Sequence, residues 1–330
     1  MAPANLPPDY KEAEQRFRQA SSHEEKLGVL REMLALLPKH KGTDKLQADL
    51  RRRISKLEEE GEQARKRGGH RFDPGHVRRE GAGQWVLLGP PNAGKSELLR
   101  ALTHAHPEVA PYPFTTRVPL PGMMPFEDVQ VQLVDTPAVT AQHAEPFMTN
   151  LVRGADGVAL VLDVVAEDRA EGLSALEAFL EHGRIWPRTR ALPARASPLL
   201  VVKSVFVVLN KCDLDPGGSV AALAGTGTEG LPAFAVSAAH GAGLEELRRA
   251  LFNGLERIRI YAKEPGKKPD LERPFVLSRG ATVHDLAQAV HKEVAERLRY
   301  ARIWGAARFD GQQVDRHHVL ADRDVVELHG

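Results

Sequence analysis

The sequence has little cysteine and little excess charge. Cys212 is the single cysteine among 330 residues, which excludes a disulfide framework and a cysteine-ligated zinc site and fits a reducing cytosol. The formal net charge is +1. The chain as a whole is therefore not a basic nucleic-acid-binding protein, and basic surfaces have to be sought locally.

Long hydrophobic runs are also missing. The longest apolar run, around 158–162, is far too short to span a bilayer, and residues 1–9 are rich in proline and lack the apolar core of a signal peptide. We therefore expect a cytoplasmic protein with no membrane partner. Histidines without a carboxylate or cysteine at ligand spacing are interpreted as surface or loop residues, as for His104, His106, His317 and His318.

The chain is long enough for several domains, and the first predicted region, 1–82, is helical and ends in a linker. Leucines at helical spacing form two stripes, at 27–37 and 46–57, with a proline and a glycine between them. This pattern predicts a helical hairpin, whose first stripe could also dock a helical protein partner. The Gly- and Arg-rich segment 68–83 predicts the linker.

The second predicted region, 83–256, alternates near-continuous Val/Leu runs with helical patterns. Such runs are typical of strands buried on both faces of a parallel sheet, which predicts an α/β domain. We expect the Pro/Arg-rich segment 184–198 to be an exposed loop. The strand candidates are 84–88, 129–134, 157–162, 205–209 and 233–236, and the helix candidates are 96–104, 172–181 and 244–255.

The third predicted region, 257–330, has the pattern of a small α+β unit, with two strands, a helix and two or three further strands. The predicted helix, 283–298, keeps its apolar residues on one face and begins after Thr282 as the capping residue. The strand candidates are 258–261, 274–277, 301–304 and 325–328.

Residues 89–96 fit G-x-x-x-x-G-K-[ST], the pattern of a phosphate-binding loop. In such a loop, backbone N–H groups cradle an anion, Lys95 reaches the β- and γ-phosphates, and the Ser96 hydroxyl ligates Mg²⁺. The loop lies between a predicted strand and a predicted helix, although the pattern alone also fits a glycine-rich turn. The candidate binding residues are Gly89, Pro90, Pro91, Asn92, Ala93, Gly94, Lys95 and Ser96.

Two further motifs follow predicted strands. Asp135, with Thr136, Pro137 and Ala138 after it, can hold Mg²⁺ through water, or can simply cap a turn. The N-K-x-D pattern is made by Asn210, Lys211 and Asp213. Here the Asp213 carboxylate can accept hydrogen bonds from guanine N1–H and N2–H₂, a donor pair that adenine lacks, so the motif argues against an ATPase. The alternative is an ordinary turn.

Two shorter segments are further candidates for nucleotide binding. One follows the strand candidate 233–236 and could offer a backbone N–H, that of Ala238, to guanine O6. The other, 112–116, lies where a switch loop with a threonine ligand for Mg²⁺ is expected, and it also fits a Pro-rich surface loop. The candidates are Ser237, Ala238 and Ala239 in the first segment and Phe114, Thr115 and Thr116 in the second.

With these motifs in this order, the chain resembles the Obg/DRG-type (developmentally regulated GTP-binding protein-like) GTPases. Residues 257–330 resemble the TGS domain that DRG-type proteins carry, and the resemblance covers about 83–330. It implies a P-loop NTPase G domain with a mainly parallel sheet, preceded by an α-helical N-terminal region and followed by a β-grasp (ubiquitin-like) TGS domain. The segments that carry the TGS resemblance include 273–277, 281–286, 300–305 and 324–328.

The resemblance implies GTP and GDP as ligands and slow hydrolysis of GTP. Mg²⁺ would be ligated by Ser96 and Thr116, with Asp135 holding it through water. Val139 occupies the position of the glutamine that orients water in Ras-like GTPases, so K⁺ is implied as a further cofactor, with Asn92 as its ligand. Asn92 fits a plain turn residue equally well. The implied catalytic residues are Lys95, Thr116 and Asn92.

The chain also departs from the family. The interval from Asp135 to Asn210 has no room for the extra domain of many DRG-type proteins, and the Gly-rich N-terminal domain of Obg is absent. Ala138 stands where the family usually has glycine, which restricts φ but keeps the N–H. With Val139, it leaves open a non-hydrolysing guanine-nucleotide sensor or scaffold that binds a protein partner.

The family further implies association with ribosomes or RNA, and no DNA is expected. Local charge supports this weakly, because the basic clusters of the first region are offset by acids and each fits a solvated helix face. The basic residues in question are Arg51, Arg52, Arg53, Arg65, Lys66, Arg67, Arg78 and Arg79, and, in or near the TGS-like region, Lys267, Lys268, Arg297, Arg299 and Arg302.

Overall fold

The structure of the protein is a computed structural model, and it divides into two compact units, Met1–Asp73 and Pro74–Gly330. Most of the predicted linker lies outside the described residues. No helix in the described ranges is long and apolar enough to cross a membrane. The structure describes residues 10, 16, 23–37, 47–48, 50–55, 77–103, 118–215, 230–306 and 309–330.

The first unit contains helix α1, His23–Leu36, and residues 50–55 are also helical. The two predicted leucine stripes supply its core, which includes Leu30, Leu37 and Leu50. Because Leu30 and Leu37 are already buried within this unit, they do not offer a free stripe, and our prediction of a helical protein partner there loses its basis.

The second unit begins with a seven-stranded sheet. Its order is β2-β3-β1-β4-β6-β5, and β7 pairs with β6 outside this path. Only the β2–β3 pair is antiparallel among the described pairs, as predicted for a mainly parallel sheet. The strands are β1 Gln84–Leu88, β2 Leu120–Phe126, β3 Val129–Asp135, β4 Gly157–Asp163, β5 Ile185–Pro187, β6 Val201–Asn210 and β7 Ala233–Ala235.

Helices cover both faces of this sheet, and strand β1 shows how the alternating pleat supplies two cores. Trp85 and Leu87 face the core that contains α2 and α5, whereas Val86 and Leu88 face the core that contains α3 and α4. Burial on both faces explains why this strand is a continuous apolar run. The helices are α2 Lys95–Leu102, α3 Phe147–Gly154, α4 Arg169–His182 and α5 Leu244–Gly254.

Three elements of this sheet region differ from the sequence prediction. Strand β2 was not predicted because it contains Pro121 and Pro125, which are tolerated here since β2 is an edge strand paired only with β3. Helix α3 was also not predicted. The prediction of an exposed loop over 184–198 is wrong at its start, where β5 pairs with β6 and Ile185 is buried.

A second, five-stranded sheet has the order β11-β10-β12-β8-β9, with a parallel β12–β8 pair and otherwise antiparallel pairs. Its helices pack on one face, where Ile260, Leu286 and Ile303 share a core. The elements are β8 Arg257–Lys263, β9 Phe275–Ser278, α6 Val283–Val290, α7 Lys292–Arg297, β10 Tyr300–Trp304, β11 Gln312–Val314 and β12 Val325–His329.

The helix predicted over 283–298 is two helices. Thr282 and Asp285 form a capping box at the start of α6, which confirms the predicted cap. The backbone of His291 is extended, at φ −169°, and its ring nitrogen accepts a hydrogen bond from the Glu293 N–H at the start of α7. A residue that both ends one helix and caps the next interrupts the apolar pattern very little, so the pattern alone suggested one helix.

Arg259, in β8, joins the two sheets. Its guanidinium donates to Asp128, at 2.7 Å, in the turn between β2 and β3, and to Asp322, also at 2.7 Å. It also pairs with Glu127 and lies 4.8 Å from the ring centroid of Phe252. The guanidinium is 4% exposed, so these contacts form a buried junction between the second sheet and the tip of the β2–β3 hairpin.

Candidate functional site

The loop from Gly89 to Ser96 joins the carboxyl end of β1 to the start of α2. Gly94 has φ +83°, and a Cβ there would lie 2.2 Å from the amide nitrogen of Asn210; a Cβ on Gly89 would lie 2.4 Å from the Val161 carbonyl oxygen. Both positions therefore require glycine, because neighbouring strands approach the loop backbone too closely for a side chain. This packing draws the loop into a tight curve above the sheet.

Lys95 reaches back inside this curve. Its ammonium donates to the carbonyls of Gly89, at 3.0 Å, and Pro90, at 3.1 Å. Burial lowers the pKa of Lys95, and the nearby charge of Asp135 acts against that shift. A cation that has lost much of its hydration in this way gains strongly from an anion placed in the loop.

Asp135 ends strand β3 beside the loop. Its Oδ2 accepts a hydrogen bond from the Ser96 hydroxyl at 2.5 Å, and among the described residues its buried Oδ1 has no hydrogen-bond partner. Burial raises the pKa of this carboxyl. Mg²⁺ prefers hard ligands such as hydroxyl and carboxylate oxygens. The unpartnered Oδ1 of Asp135 and the neighbouring Ser96 hydroxyl therefore fit a Mg²⁺ site.

The segment after Asp135 turns back onto the phosphate-binding loop. The Thr136 hydroxyl donates to the Leu87 carbonyl at 2.7 Å, and the Val139 N–H donates to the Gly89 carbonyl at 3.1 Å. Val139 itself is 1% exposed and belongs to the core. Thr136 and Val139 therefore hold this segment in place, and Pro137 and Ala138 lie between them next to the loop.

Asn210 ties three loops together. Its amide nitrogen donates to the Ala93 carbonyl at 3.1 Å, and its Oδ1 accepts from the Ala238 N–H at 3.1 Å. The side chain is fully buried. In this arrangement the Ala238 N–H, which we expected to meet guanine O6, is engaged by Asn210, while Ala239 is exposed in the following turn.

Lys211 has a partner that the sequence prediction missed. Its ammonium donates to Asp163 Oδ2 at 2.6 Å and to the Asn92 carbonyl at 2.9 Å. Asp163 ends strand β4 and pairs in register with Asn210 of β6. A carboxylate directly after the predicted strand 157–162 was the available signal, since parallel strands end at the same edge of a sheet.

Asp213 lies in a short 3₁₀ turn, Cys212–Leu214, directly after Lys211. A hydrogen bond from Ser237 lowers the pKa of this carboxyl, and His240 adds to the shift. His240 Nδ1 lies 3.4 Å from Asp213 Oδ2. These contacts favour the ionised form of the Asp213 carboxylate.

The other predicted residues are placed as follows. Pro91 and Asn92 are exposed at the outer turn of the loop, and Asn92 has φ +60°, a left-handed conformation that asparagine tolerates better than most residues. The described residues contain no group of three or more His, Cys, Asp or Glu side chains arranged to hold a metal. The switch candidates Phe114, Thr115 and Thr116 lie outside the described residues.

Two family models match the chain. Residues 84–210 match a model described as a 50S ribosome-binding GTPase, and residues 258–329 match the TGS domain. The first match covers the phosphate-binding loop through to Asn210. The second covers the five-stranded sheet almost completely.

Similar proteins extend over nearly the whole chain. An uncharacterised GTP-binding protein of Halobacterium salinarum is 30% identical over 92% of this chain and 98% of its own length. Developmentally-regulated G-protein 2 of Arabidopsis thaliana is 26% identical over 92% of this chain and 90% of its own length. A solved GTP-binding protein of Pyrococcus horikoshii has a TM-score of 0.50 at 16% identity, covering 75% of this chain and 99% of that one, and it supports the fold.

Proposed function

The chain belongs to the developmentally regulated GTP-binding protein (DRG) type, in which a G domain is followed by a TGS domain, and from this premise we propose that it is a slow, K⁺-stimulated GTPase that acts as a switch on ribosomes or RNA. One observation carries the proposal. Asn210 joins the phosphate-binding loop, at Ala93, to the loop of Ala238, and Asp213 follows it three residues later in the chain.

Guanine selectivity is assigned to Asp213. Its carboxylate is held ionised by Ser237, which suits acceptance of the N1–H and N2–H₂ donors of guanine. Adenine would leave these acceptors without donors, which disfavours ATP. The stem of Lys211, whose ammonium donates to Asp163 and to the Asn92 carbonyl, is assigned to packing over the purine face.

Hydrolysis is assigned to the phosphate-binding loop. Lys95 and the loop amides stabilise charge that develops on the phosphates as water attacks the γ-phosphorus. Ser96 and Asp135 would hold Mg²⁺, together with Thr116. When bound, Mg²⁺ supplies charge neutralisation at the β- and γ-phosphate oxygens.

K⁺ stimulation is proposed because Val139, at the position of the water-orienting glutamine of Ras-like GTPases, is apolar and buried in the core, so it cannot orient water. Asn92 is exposed on the loop and carries an amide oxygen of the kind that binds cations. Its left-handed backbone favours a turn role as well. The variant Asn92→Gly separates the two, because glycine keeps the conformation and removes the amide oxygen.

The test is single-turnover hydrolysis of GTP in KCl and in NaCl. We expect faster phosphate release in KCl for the wild type and no difference between the salts for Asn92→Gly, with GTP affinity retained. Equal rates in both salts for the wild type would contradict the K⁺ role. Equal affinity for ATP and GTP would contradict guanine selectivity.

Ribosome or RNA association is proposed from the family model, whose description names binding to the 50S ribosome. The test is co-sedimentation of the protein with ribosomes in the presence of a non-hydrolysable GTP analogue and of GDP. We expect more protein in the pellet with the analogue. Absence from the pellet in both states, with nucleotide binding intact, would contradict this part of the proposal.

A non-hydrolysing sensor or scaffold is the second candidate, and the burial of Val139 favours it. A cavity of about 1170 Å³ beside this segment, lined by residues such as Thr140, His143 and Phe179, would then be a place for a protein partner. Tight GTP binding without phosphate release in either salt would select this candidate.

A further inference from the structure

A cluster of cationic side chains lies at the amino-terminal edge of the first sheet. Lys203, near the start of β6, is close enough to Arg79, Arg153 and Arg188 for their charges to add to burial in lowering its pKa, and Asp156 acts in the opposite direction. Like charges held this close repel one another, so an anion bound among them would relieve that repulsion.

Backbone contacts fix these cations in place. The Arg188 N–H donates to the Lys203 carbonyl at 2.8 Å where β5 pairs with β6. The Lys203 ammonium donates to the Ala155 carbonyl, and Arg153 donates to the Gly183 carbonyl at 2.7 Å. The charges therefore stand on the ends of strands and helices, where they keep their spacing.

Carboxylates at this edge balance only part of the charge. Asp156 Oδ1 lies 3.5 Å from a guanidinium nitrogen of Arg79 and of Arg257, and Glu256 lies 2.5 Å from Arg188. With Arg153 and Lys203, five cations thus share two carboxylates among the described contacts of this edge. The segment 184–203 contains no Asp or Glu and adds Arg184 and Arg195, whereas its Arg190 is paired with Glu177.

The cluster is separate from the nucleotide site. Lys203 and Asn210 lie on the same strand, and at about 3.3 Å per residue they are about 23 Å apart. Arg79 and Arg188 keep 49% and 43% of their side-chain surface exposed. A ligand at this edge can therefore be bound without contact with the phosphate-binding loop.

We propose that this edge, defined by Arg79, Arg153, Arg188, Lys203 and Arg257, binds the phosphate backbone of RNA. The inference rests on the proposed association with ribosomes or RNA and names the surface that makes it. Four of the five cations are arginines, whose planar forks match phosphate oxygens in pairs. Of these five residues the sequence suggests only Arg79, because the others come from separate segments that the fold brings together.

The experiment compares the double variant Arg79→Gln/Arg188→Gln with the matched control Arg249→Gln/Arg316→Gln, which removes the same charge from exposed positions away from this edge. A fluorescein-labelled ribosomal RNA hairpin is the probe, and its anisotropy is followed over a series of KCl concentrations. GDP affinity is measured for each protein as a check that the G domain is folded.

We expect the first variant to bind the hairpin roughly ten-fold more weakly, with a slope of log K against log[salt] reduced by about 1–2, because each lost phosphate contact removes about 0.7–0.9 from it. The control should match the wild type. If Arg79→Gln/Arg188→Gln binds the hairpin as tightly as the wild type does, this inference is wrong, but the ribosome proposal stands.

Two other outcomes show whether the protein binds RNA at all and whether this edge binds a membrane instead. If the wild type binds neither the hairpin nor ribosomes although it binds GDP, both this inference and the ribosome proposal fall. If the variant loses binding to vesicles of phosphatidylserine and phosphatidylcholine but keeps its affinity for RNA, the edge is a membrane contact and the RNA assignment is overturned.

Discussion

Asp163 Oδ2 lies 2.6 Å from the ammonium of Lys211, and the same ammonium donates to the Asn92 carbonyl at 2.9 Å. Asp163 is itself fixed, because its Oδ1 accepts from the Val165 N–H at 3.0 Å. The Lys211 ammonium thus joins three elements, which are the end of β4, the motif after β6 and the outer turn of the phosphate-binding loop. From these contacts we propose that Asp163 is a positioning residue for the nucleotide site.

The variant Asp163→Asn should weaken nucleotide binding. It removes the charge that holds Lys211, and the pair is only partly exposed, so we expect a loss of about 1 kcal/mol, or roughly five-fold in affinity for both GTP and GDP. Stopped-flow binding of a fluorescent GDP analogue measures this. Asp168→Asn, at an exposed position after the same strand, is the control and should bind as the wild type does.

The variant Asp213→Asn should change base selectivity. An amide at this position presents a donor where the carboxylate presented an acceptor, so it mismatches guanine N2–H₂ and suits xanthine, which has a carbonyl there. We expect a loss of GTP affinity of roughly a hundred-fold and a gain for xanthosine triphosphate. Competition binding with the two nucleotides tests this. Unchanged preference for GTP would remove Asp213 from the base site.

Asp135 should show a conflict between stability and metal binding. Because burial raises its pKa, the ionised form costs stability in the metal-free protein. That cost is absent below the carboxyl's pKa in the unfolded chain and reaches its full value above its pKa in the folded protein. We therefore expect Asp135→Asn to be more stable than the wild type at neutral pH, by on the order of 1 kcal/mol, with the difference vanishing towards about pH 4.

Urea unfolding without Mg²⁺ at several pH values measures that difference. The same variant should lose the dependence of GTP affinity on Mg²⁺ that the wild type is expected to show. Ser96→Ala is the companion variant, because it removes the hydroxyl and leaves the carboxylate in place. A variant that is less stable than the wild type at neutral pH without metal would show that Asp135 has a structural role instead.

The sequence predicts most of the G-domain sheet because each buried strand is a recognisable run of apolar residues. The run 84–88 is apolar throughout, and the structure shows why, since Trp85 and Val86 enter different cores. Strand β2 carries no such evidence, because an edge strand needs only one partner and tolerates Pro121 and Pro125.

The site is predicted less completely than the fold. The phosphate and guanine motifs are contiguous in sequence, so their residues can be named without coordinates. Asp163 and Arg259 act across 48 and 131 positions, on Lys211 and Asp128. For Asp163 the only local signal is a carboxylate directly after a predicted strand, and Arg259 has none, because the partners of both residues come from distant strands and turns.

Arg259 supports the last prediction. Its buried guanidinium holds Asp128 and Asp322 and packs on the ring of Phe252, while Tyr261 donates to Asp128 as well. Arg259→Met would keep much of the packing but leave these carboxylates without their cation. Because the carboxylates are partly exposed, we expect a loss of about 2–3 kcal/mol in the free energy of unfolding, less than for a fully buried pair.

Urea unfolding followed by tryptophan fluorescence measures this loss, with Arg323→Gln as the control. Arg323 pairs with Glu127 at the same junction but its side chain is 56% exposed, so its removal should cost less than about 1 kcal/mol. Limited proteolysis should also cut Arg259→Met between 254 and 257 sooner than the wild type, since the junction holds the second sheet against the β2–β3 turn. Equal stability of the two variants would mean that packing on Phe252, and not the carboxylates, holds the junction.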